Sequence, residues 1–360
     1  LMERATAGWP AGWAQGFVLI TLVSEAALLF IAAQTGFLGG PKVLANMALD
    51  RWFPTRFSAI SDRLVSQNGV VIMGCSALVL LLLTHGSVKL LVVLYAINVF
   101  IDFVLSQTGM VRHWWNERQR KRSWKRKAAV NGSGLILSAF ILISTVTIKF
   151  DEGGWMTLAV TGALILVALF TKRHYRKTSV LLKRLDTLTT AVSEEMLRTP
   201  STSAPGFDPK GKTAVVFVSG FNGMGLHTLM NVVRFFKGTF RNFVFVQVGI
   251  IDAGNFKGEA ELEHLKDKSK EDIERYVSYM RSQGFYAEGH YAVGVDVVEE
   301  SEKISLEIAQ KYPDAVFFGG QLVFPHDSFI NRLFHNYTVF SLQKHLYRQG
   351  LLFVILPIRV

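Results

Sequence analysis

Hydrophobic residues form long runs in the first half of the chain and short runs after residue 212. A helix needs about 20 predominantly apolar residues to cross the hydrocarbon core of a bilayer. Runs of this kind occur only before residue 172 and predict transmembrane helices at 15–36, 67–84, 88–109, 132–148 and 155–171. Residues 1–177 are therefore predicted to form an α-helical membrane bundle of five transmembrane helices.

The second half has a different pattern. Residues 178–212 read as an amphipathic helical stretch followed by a Pro, Ser and Gly linker. From Thr213 to the end, five short apolar runs alternate with four helical patterns, near 224–237, 259–283, 299–312 and 328–349. Continuous apolar strands indicate burial on both faces, and strands alternating with helices indicate right-handed crossovers. Residues 213–360 are predicted to form an α/β domain with a doubly wound, parallel, five-stranded sheet.

Charge changes this picture by giving the helices a direction. The chain has a formal net charge of +11, and its positive residues are concentrated at 37–66, 111–130 and 172–177. The alternate connections, 84–89 and 149–154, carry one lysine each. Positively charged loops stay on the cytoplasmic side. We therefore expect a multi-pass protein of the plasma (inner) membrane with its α/β domain in the cytoplasm.

The loop 111–130 combines lysines and arginines with Trp114, Trp115 and Trp124. Such a mixture can bind nucleic acid or anionic lipid. Because the loop flanks two predicted spans and tryptophan favours the membrane interface, we expect contact with the lipid bilayer and no binding of nucleic acid.

The beginning of the chain does not resemble a secretory signal. The first apolar run is too long for the apolar region of a signal peptide, and it contains Glu25. Because this helix is predicted to enter from outside, we expect further transmembrane helices upstream, so that the chain is a C-terminal fragment.

No catalytic chemistry is evident in the sequence. Cys75 is the one cysteine, which excludes a disulfide framework and a cysteine-based metal site. We find no convincing Ser-His-Asp set, metal-spaced cluster or pair of carboxylates. We therefore expect no enzyme activity, no bound metal and no cofactor.

Glycine-rich turns after the first and fourth predicted strands are the candidate ligand site of the α/β domain. Ligands of such sheets bind beyond the carboxyl ends of the strands, and a glycine turn that opens a helix can offer N–H groups to phosphate. The spacing G-x-x-G-x-G does not match the dinucleotide motif, so the glycines can equally serve tight turns. The candidate residues are Ser219, Gly220, Gly223, Gly225, Gly319 and Gly320.

Several long segments resemble a known family. The segments are LLFIAAQTGFLGGPKVLANMALDRWFPTRF, NGVVIMG, VVLYAINVFIDFVLSQTGMVRHW and KFDEGGWMTL, followed by the region from SGFNGMGLHTL to LPIRV. They resemble the amino acid-polyamine-cation (APC) superfamily, in particular the subgroup of potassium importers and amino acid permeases with a universal-stress-protein-like C-terminal domain.

The resemblance implies a partial leucine-transporter-type fold in which the five spans are helices eight to twelve. It also implies import of potassium or an amino acid with proton or cation coupling, and a cytosolic domain that regulates the transporter or forms a homodimer. ATP-binding universal stress proteins carry a further glycine segment, whereas Gly319 and Gly320 are followed by no glycine until Gly350. ATP binding is therefore not expected.

A polar stripe crosses the span 88–109. Tyr95, Asn98, Asp102 and Ser106 recur at spacings of three and four and share one face of a helix. A carboxylate in a membrane must pair, become protonated or line a water-filled path. The resemblance implies that this helix borders the substrate pathway, with Tyr95 near the cation; the alternative is a structural stripe that bonds to neighbouring helices.

Glu25 raises the same question in the first span. A buried glutamate without a cation has a raised pKa and can carry a proton. Alternatively, it is a neutral acid that donates one hydrogen bond to nearby backbone. For the whole protein, the alternative to a transporter is a membrane-anchored sensor or interaction protein in which the α/β domain performs the function.

Overall fold

The computed structural model describes residues 8–61, 63–121, 123–198, 205–254, 258–324 and 337–359. The chain divides into two compact units. One unit combines Leu1–Val71 with Thr171–Val360, and the other is Ile72–Phe170.

Five long helices precede residue 186: α1 (Ala11–Leu49), α2 (Gln67–Leu83), α3 (Val88–Asn116), α4 (Trp124–Ile148) and α5 (Trp155–Leu185). Within the described residues, four helical segments are long and apolar enough to span a membrane: Gly12–Leu49, Val88–Gln119, Trp124–Ile148 and Phe150–Met196. The remaining predicted span, 67–84, is the shorter apolar helix α2. A multi-pass membrane protein is therefore supported.

Two of these helices extend well beyond the apolar runs that predicted them. Helix α1 continues to Leu49 because Pro41, Ala45 and Ala48 form a buried stripe at helical spacing. Helix α5 continues to Leu185 in the same way, and the buried residues of this extension are Thr171, Tyr175, Thr178 and Leu185. Both extensions are amphipathic, so burial of one face rather than overall hydrophobicity maintains the helix.

The predicted linker contains a further helix, α6 (Thr187–Arg198), which packs on the α/β domain. Its Val192 is buried in the same hydrophobic core as the sheet, with Leu188 and Met196 packed against that core. Residues 199–204, in the Pro and Ser part of the linker, lie outside the described residues.

The α/β domain contains the predicted five-stranded parallel sheet. Its strands are β1 (Lys212–Val218), β2 (Phe240–Ile250), β3 (Tyr286–Gly294), β4 (Ala315–Val323) and β5 (Phe353–Arg359). The spatial order is β3-β2-β1-β4-β5, and every pairing is parallel. The edges are therefore β3 and β5, and Pro357 of β5 occupies the kind of strand that tolerates proline.

Helices α7 (Gly223–Phe235), α8 (Glu259–Ser282), α9 (Val297–Lys311) and α10 (Tyr337–Arg348) follow β1 to β4 in turn. The last of these was predicted to begin at 328, and residues 328–336 lie outside the described part. Alternate strand residues enter two separate cores. One core contains residues of α6, α7 and α8, and the other contains residues of α9 and α10.

Because the strand order reverses at β1 and β4, the crevice beyond their carboxyl ends is the expected ligand position of the sheet.

Candidate functional site

A cavity of about 300 Å³ lies at the carboxyl ends of β1 and β4. It brings together Ser219, Gly225, Gly319 and Gly320, four of the six residues predicted from the glycine turns. Gly220 and Gly223 are not part of its lining. The described residues of the lining include no charged side chain, and apolar groups such as Phe217 and Val246 predominate. The cavity therefore suits a small, largely apolar ligand better than a phosphate.

Gly319 and Gly320 allow the neighbouring side chains to pack closely against β4. A Cβ atom at Gly319 would lie 2.7 Å from the Phe353 ring. A Cβ atom at Gly320 would lie 2.5 Å from the Thr228 hydroxyl and 2.7 Å from Ile358. Any side chain here would force the neighbouring helices or β5 away, so these two glycines are explained by packing.

The glycine turn before α7 is already occupied by side chains of the chain itself. Asn222 Oδ1 accepts a hydrogen bond from Gly225 N at 2.9 Å and caps the helix. Asp186 Oδ1, from the junction of α5 and α6, accepts one from Gly223 N at 3.1 Å. These two bonds use N–H groups that a phosphate would otherwise bind. A carboxylate thus takes the position predicted for an anionic ligand.

The glycines of this turn are required by the same arrangement. A Cβ atom at Gly223 would collide with the backbone of Leu185, and one at Gly225 would collide with the hydroxyl of Tyr276. Gly220 has φ +124°, a conformation that favours glycine. The tight-turn interpretation of Gly220, Gly223 and Gly225 is therefore the one the geometry favours.

Tyr276 of α8 contacts the glycine turn through its hydroxyl group. This residue was not singled out from the sequence. Its hydroxyl donates to Gly220 O at 3.1 Å, and its ring stacks on Phe245 with centroids 5.1 Å apart. Burial raises the pKa of Tyr276 far above its usual value, so the hydroxyl remains a donor. Helical spacing of Ile273, Tyr276 and Met280 indicates a buried face, but it does not indicate which backbone group the hydroxyl meets.

The loop after α1 contacts the α/β domain and the extension of α5. Ala59 and Asp252 form an antiparallel bridge, and Ala253 N donates to Ser58 O at 3.0 Å. The Tyr175 hydroxyl accepts from Thr55 N at 3.3 Å. Lys172 Nζ donates to Asp50 O at 2.6 Å. No sequence pattern predicts this joint, because each of these contacts involves a backbone group.

The predicted polar stripe of α3 does lie on one face. Tyr95, Asn98, Asp102 and Ser106 are all exposed, opposite a face that buries Val93, Leu94 and Ile97. Asn98 Oδ1 accepts a hydrogen bond from the Thr161 hydroxyl of α5 at 2.7 Å. Within the described residues, Asp102 has no hydrogen bond or ion pair. Asn98 therefore makes a structural contact, whereas Asp102 remains open to a further partner.

Glu25 is exposed on α1 and belongs to the other compact unit, so the structure does not group it with the stripe. The neighbouring Thr21 hydroxyl donates to Phe17 O at 2.8 Å rather than to Glu25. Among the described residues, no hydrogen bond of the Glu25 carboxyl to nearby backbone is found.

A search of the described residues for three or more His, Cys, Asp or Glu side chains that could hold a metal ion finds no such group.

Comparison with known proteins finds similarity in the membrane half. Residues 5–170 match the family model described as amino acid permease. A curated relative, the potassium transporter KimA of Bacillus subtilis (strain 168), is 34% identical over 159 residues. This alignment covers 44% of the chain and 26% of the relative, so the chain matches about a quarter of that protein's length.

Proposed function

We propose that the chain forms part of a secondary transporter of the amino acid permease family and that it imports potassium. The observation that carries this proposal is the 34% identity to a potassium transporter. Import of an amino acid is the alternative within the same family. Uptake is coupled to protons or to another cation, with Asp102 and Glu25 as the acidic groups of the pathway.

The second half of the protein acts in the cytoplasm as a regulatory domain that resembles universal stress proteins. Two joints support a regulatory role. Asp186 fixes the end of α5 to the first turn of α7, and Ser58 and Ala59 fix the loop after α1 to the end of β2. A change in the sheet domain is therefore transmitted to two membrane helices.

The domain also associates two copies of the protein into a homodimer, for which the edge strands β3 and β5 offer unpaired backbone groups. Sedimentation of the purified protein in detergent measures this. A monomer at high micromolar concentration contradicts the proposed homodimer.

Uptake by the complete gene tests the transport proposal. The gene is expressed in cells that lack their own potassium importers, and uptake of a potassium tracer is compared with uptake of labelled amino acids. We expect potassium uptake and growth at low external potassium. Uptake of an amino acid alone would reassign the substrate. If neither is taken up, the second candidate, a membrane-anchored sensor that binds a ligand in the cavity of the sheet domain, is favoured.

A further inference from the structure

The tip of the α3–α4 hairpin, residues 111–127, carries an unbalanced positive charge. We call this segment the basic tip. Its described cations are Arg112, Arg118, Arg120, Lys121, Lys125, Arg126 and Lys127, and its one acid is Glu117. Among the described residues, no ion pair joins any of these cations to a carboxylate. The basic tip therefore has the capacity to bind an anion from outside the chain.

Trp114 gathers two of these charges on one side chain. Lys127 Nζ lies 4.5 Å and Lys121 Nζ 5.4 Å from the centroid of its ring. Each ammonium group is attracted to the face of the ring, so Trp114 concentrates positive charge at one place in the tip. The indole Nε1–H of Trp114 is covered from solvent and has no acceptor among the described residues. Lys121 and Lys127 are exposed, so their ammonium groups, and not the covered indole N–H, can contact an anion from outside the chain.

The other aromatic residues of the tip are arranged differently. Trp115 and Trp124 contact each other edge to face, with centroids 5.9 Å apart. Arg118 lies over Trp115 at 5.3 Å and Lys125 over Trp124 at 5.9 Å. Among the described residues, one cation lies over each of these two rings, whereas two lie over Trp114. Arg118 and Lys125 therefore provide a control pair of equal charge in the same tip.

The position of the basic tip identifies its ligand as a lipid. It joins the candidate spans Val88–Gln119 and Trp124–Ile148, so it lies where helices leave the hydrocarbon region. Tryptophan is enriched at this level, and lysines there attract anionic headgroups. We propose that Trp114, Lys121 and Lys127 form a binding site for the phosphate of one anionic phospholipid. The two ammonium groups contact the phosphate, and the Trp114 ring holds both of them.

Lipid binding to the purified chain tests the site. The protein is prepared in a neutral detergent and titrated with phosphatidylglycerol or phosphatidylcholine, and bound lipid is counted by native mass spectrometry. We expect the first phosphatidylglycerol to bind in preference to phosphatidylcholine. The double variant Lys121→Gln/Lys127→Gln should weaken this binding about 30-fold, as expected for two lost charges near a lipid headgroup.

Matched variants separate a defined site from general attraction. Arg118→Gln/Lys125→Gln removes the same charge from the same tip, at cations that do not contact the bound phosphate. Because salt screens their attraction to it, the affinity should change by less than about threefold. Trp114→Leu removes the ring that holds both lysines and should weaken binding severalfold, whereas Trp115→Leu should leave it unchanged. Equal losses in the two double variants would overturn the proposal, because the attraction would then be diffuse.

Two competitors distinguish the source of the phosphate. Inorganic phosphate at millimolar concentration should leave phosphatidylglycerol bound, because it lacks the acyl chains that anchor the lipid beside α3 and α4. Complete displacement by inorganic phosphate would overturn the assignment to lipid. A single-stranded oligonucleotide that binds with the same dependence on Lys121 and Lys127 would overturn it in favour of nucleic acid.

Discussion

Single residues in this chain differ in how far the sequence defines their role. The spacing of Tyr95, Asn98 and Asp102 correctly predicted a shared face, because helix geometry alone determines it. The sequence did not predict that Asn98 bonds to Thr161, since that contact depends on how α5 packs beside α3. Asp102 is exposed on α3 and has no partner in the described part of the chain. Its role therefore has to be measured.

Asp102→Asn is predicted to change the pH dependence of transport without loss of folded protein. The amide keeps the shape of the side chain and some of its hydrogen bonding but removes the titrating charge, which is costly in a membrane. Uptake by the complete gene product is measured across acidic to neutral pH and divided by the amount of detergent-stable protein.

Tyr95→Phe is the control for this experiment. The variant removes one hydroxyl group and leaves the Asp102 carboxylate in place, so it should raise the apparent substrate constant and leave the pH profile unchanged. If Asp102→Asn lowers the amount of folded protein and leaves normalised uptake unaltered at every pH, the stripe is structural.

Glu288 of β3 is predicted to make the α/β domain sensitive to acid. Its carboxylate accepts hydrogen bonds from His290 Nε2 at 2.7 Å, the Tyr286 hydroxyl at 2.8 Å and Lys311 Nζ at 2.9 Å. The bond from His290, followed by those from Lys311 and Tyr286, holds the pKa of Glu288 far below its usual range. A depressed carboxyl pKa stabilises the fold above the unfolded value of about 4.3. This stabilisation is lost as the pH falls below that value.

Glu288→Gln should therefore lower the free energy of unfolding at neutral pH and flatten its decline in acid. Urea unfolding of the fragment 186–360 at several pH values measures both effects. Glu274→Gln is the matched control, because Glu274 is exposed and its nearest lysine nitrogen is 3.9 Å away. An acid decline as steep in Glu288→Gln as in the unchanged fragment contradicts the prediction.

At the scale of elements, apolar runs located the membrane helices but underestimated their length. The search for spans stops where hydrophobicity falls, whereas α1 and α5 continue wherever one face is buried. This continuation carries α5 to Leu185 and places Asp186 against Gly223. The glycine turn was singled out from the sequence as a candidate ligand site, with a tight turn as the alternative. Its occupant could not be predicted, because Asp186 lies in a different segment and no local pattern links the two.

Asp186→Ala is predicted to loosen α6 from the α/β domain. The carboxylate accepts from the first turn of α7, where a negative charge also interacts favourably with the helix dipole. Loss of such a cap costs about 1 kcal/mol. Hydrogen exchange of residues 187–198 should become faster, and urea stability should fall by that amount.

Asp296→Ala serves as the control, because Asp296 caps α9 through Val298 N at 2.7 Å and Glu299 N at 3.2 Å, away from the linker. Asp296→Ala should also lower the free energy of unfolding by about 1 kcal/mol. Hydrogen exchange of α6, compared with exchange through global unfolding, should stay unchanged in this variant. Equal acceleration of α6 in both variants would mean that Asp186 does not anchor the linker.

At the scale of the whole molecule, the alternation of short apolar runs with helical patterns was sufficient to predict five parallel strands. Burial on both faces requires continuous apolar strands such as AVVFV and FVFVQV, which few other structures produce. The pattern could not indicate that α6 belongs to the same core. Among the described side chains of α6, Val192 is the most buried, at 3% exposure. A helix with one such position has the same sequence pattern as any amphipathic surface helix.

The fragment 186–360 is predicted to be more stable than a fragment that begins at residue 213. The shorter fragment loses Val192, Leu188 and Met196 from the core. Full burial of such a side chain contributes about 1.5–3 kcal/mol, so the loss of three, two of them partly buried, should total several kcal/mol. It also loses the bond from Arg275 Nη2 to Ser193 Oγ at 3.0 Å.

Urea midpoints of the two fragments measure the difference. Val192→Ala in the longer fragment should reproduce part of it, whereas Val180→Ala in the full chain, at an exposed position of α5, should have little effect. Equal midpoints for the two fragments would show that α6 is not part of the cooperative unit.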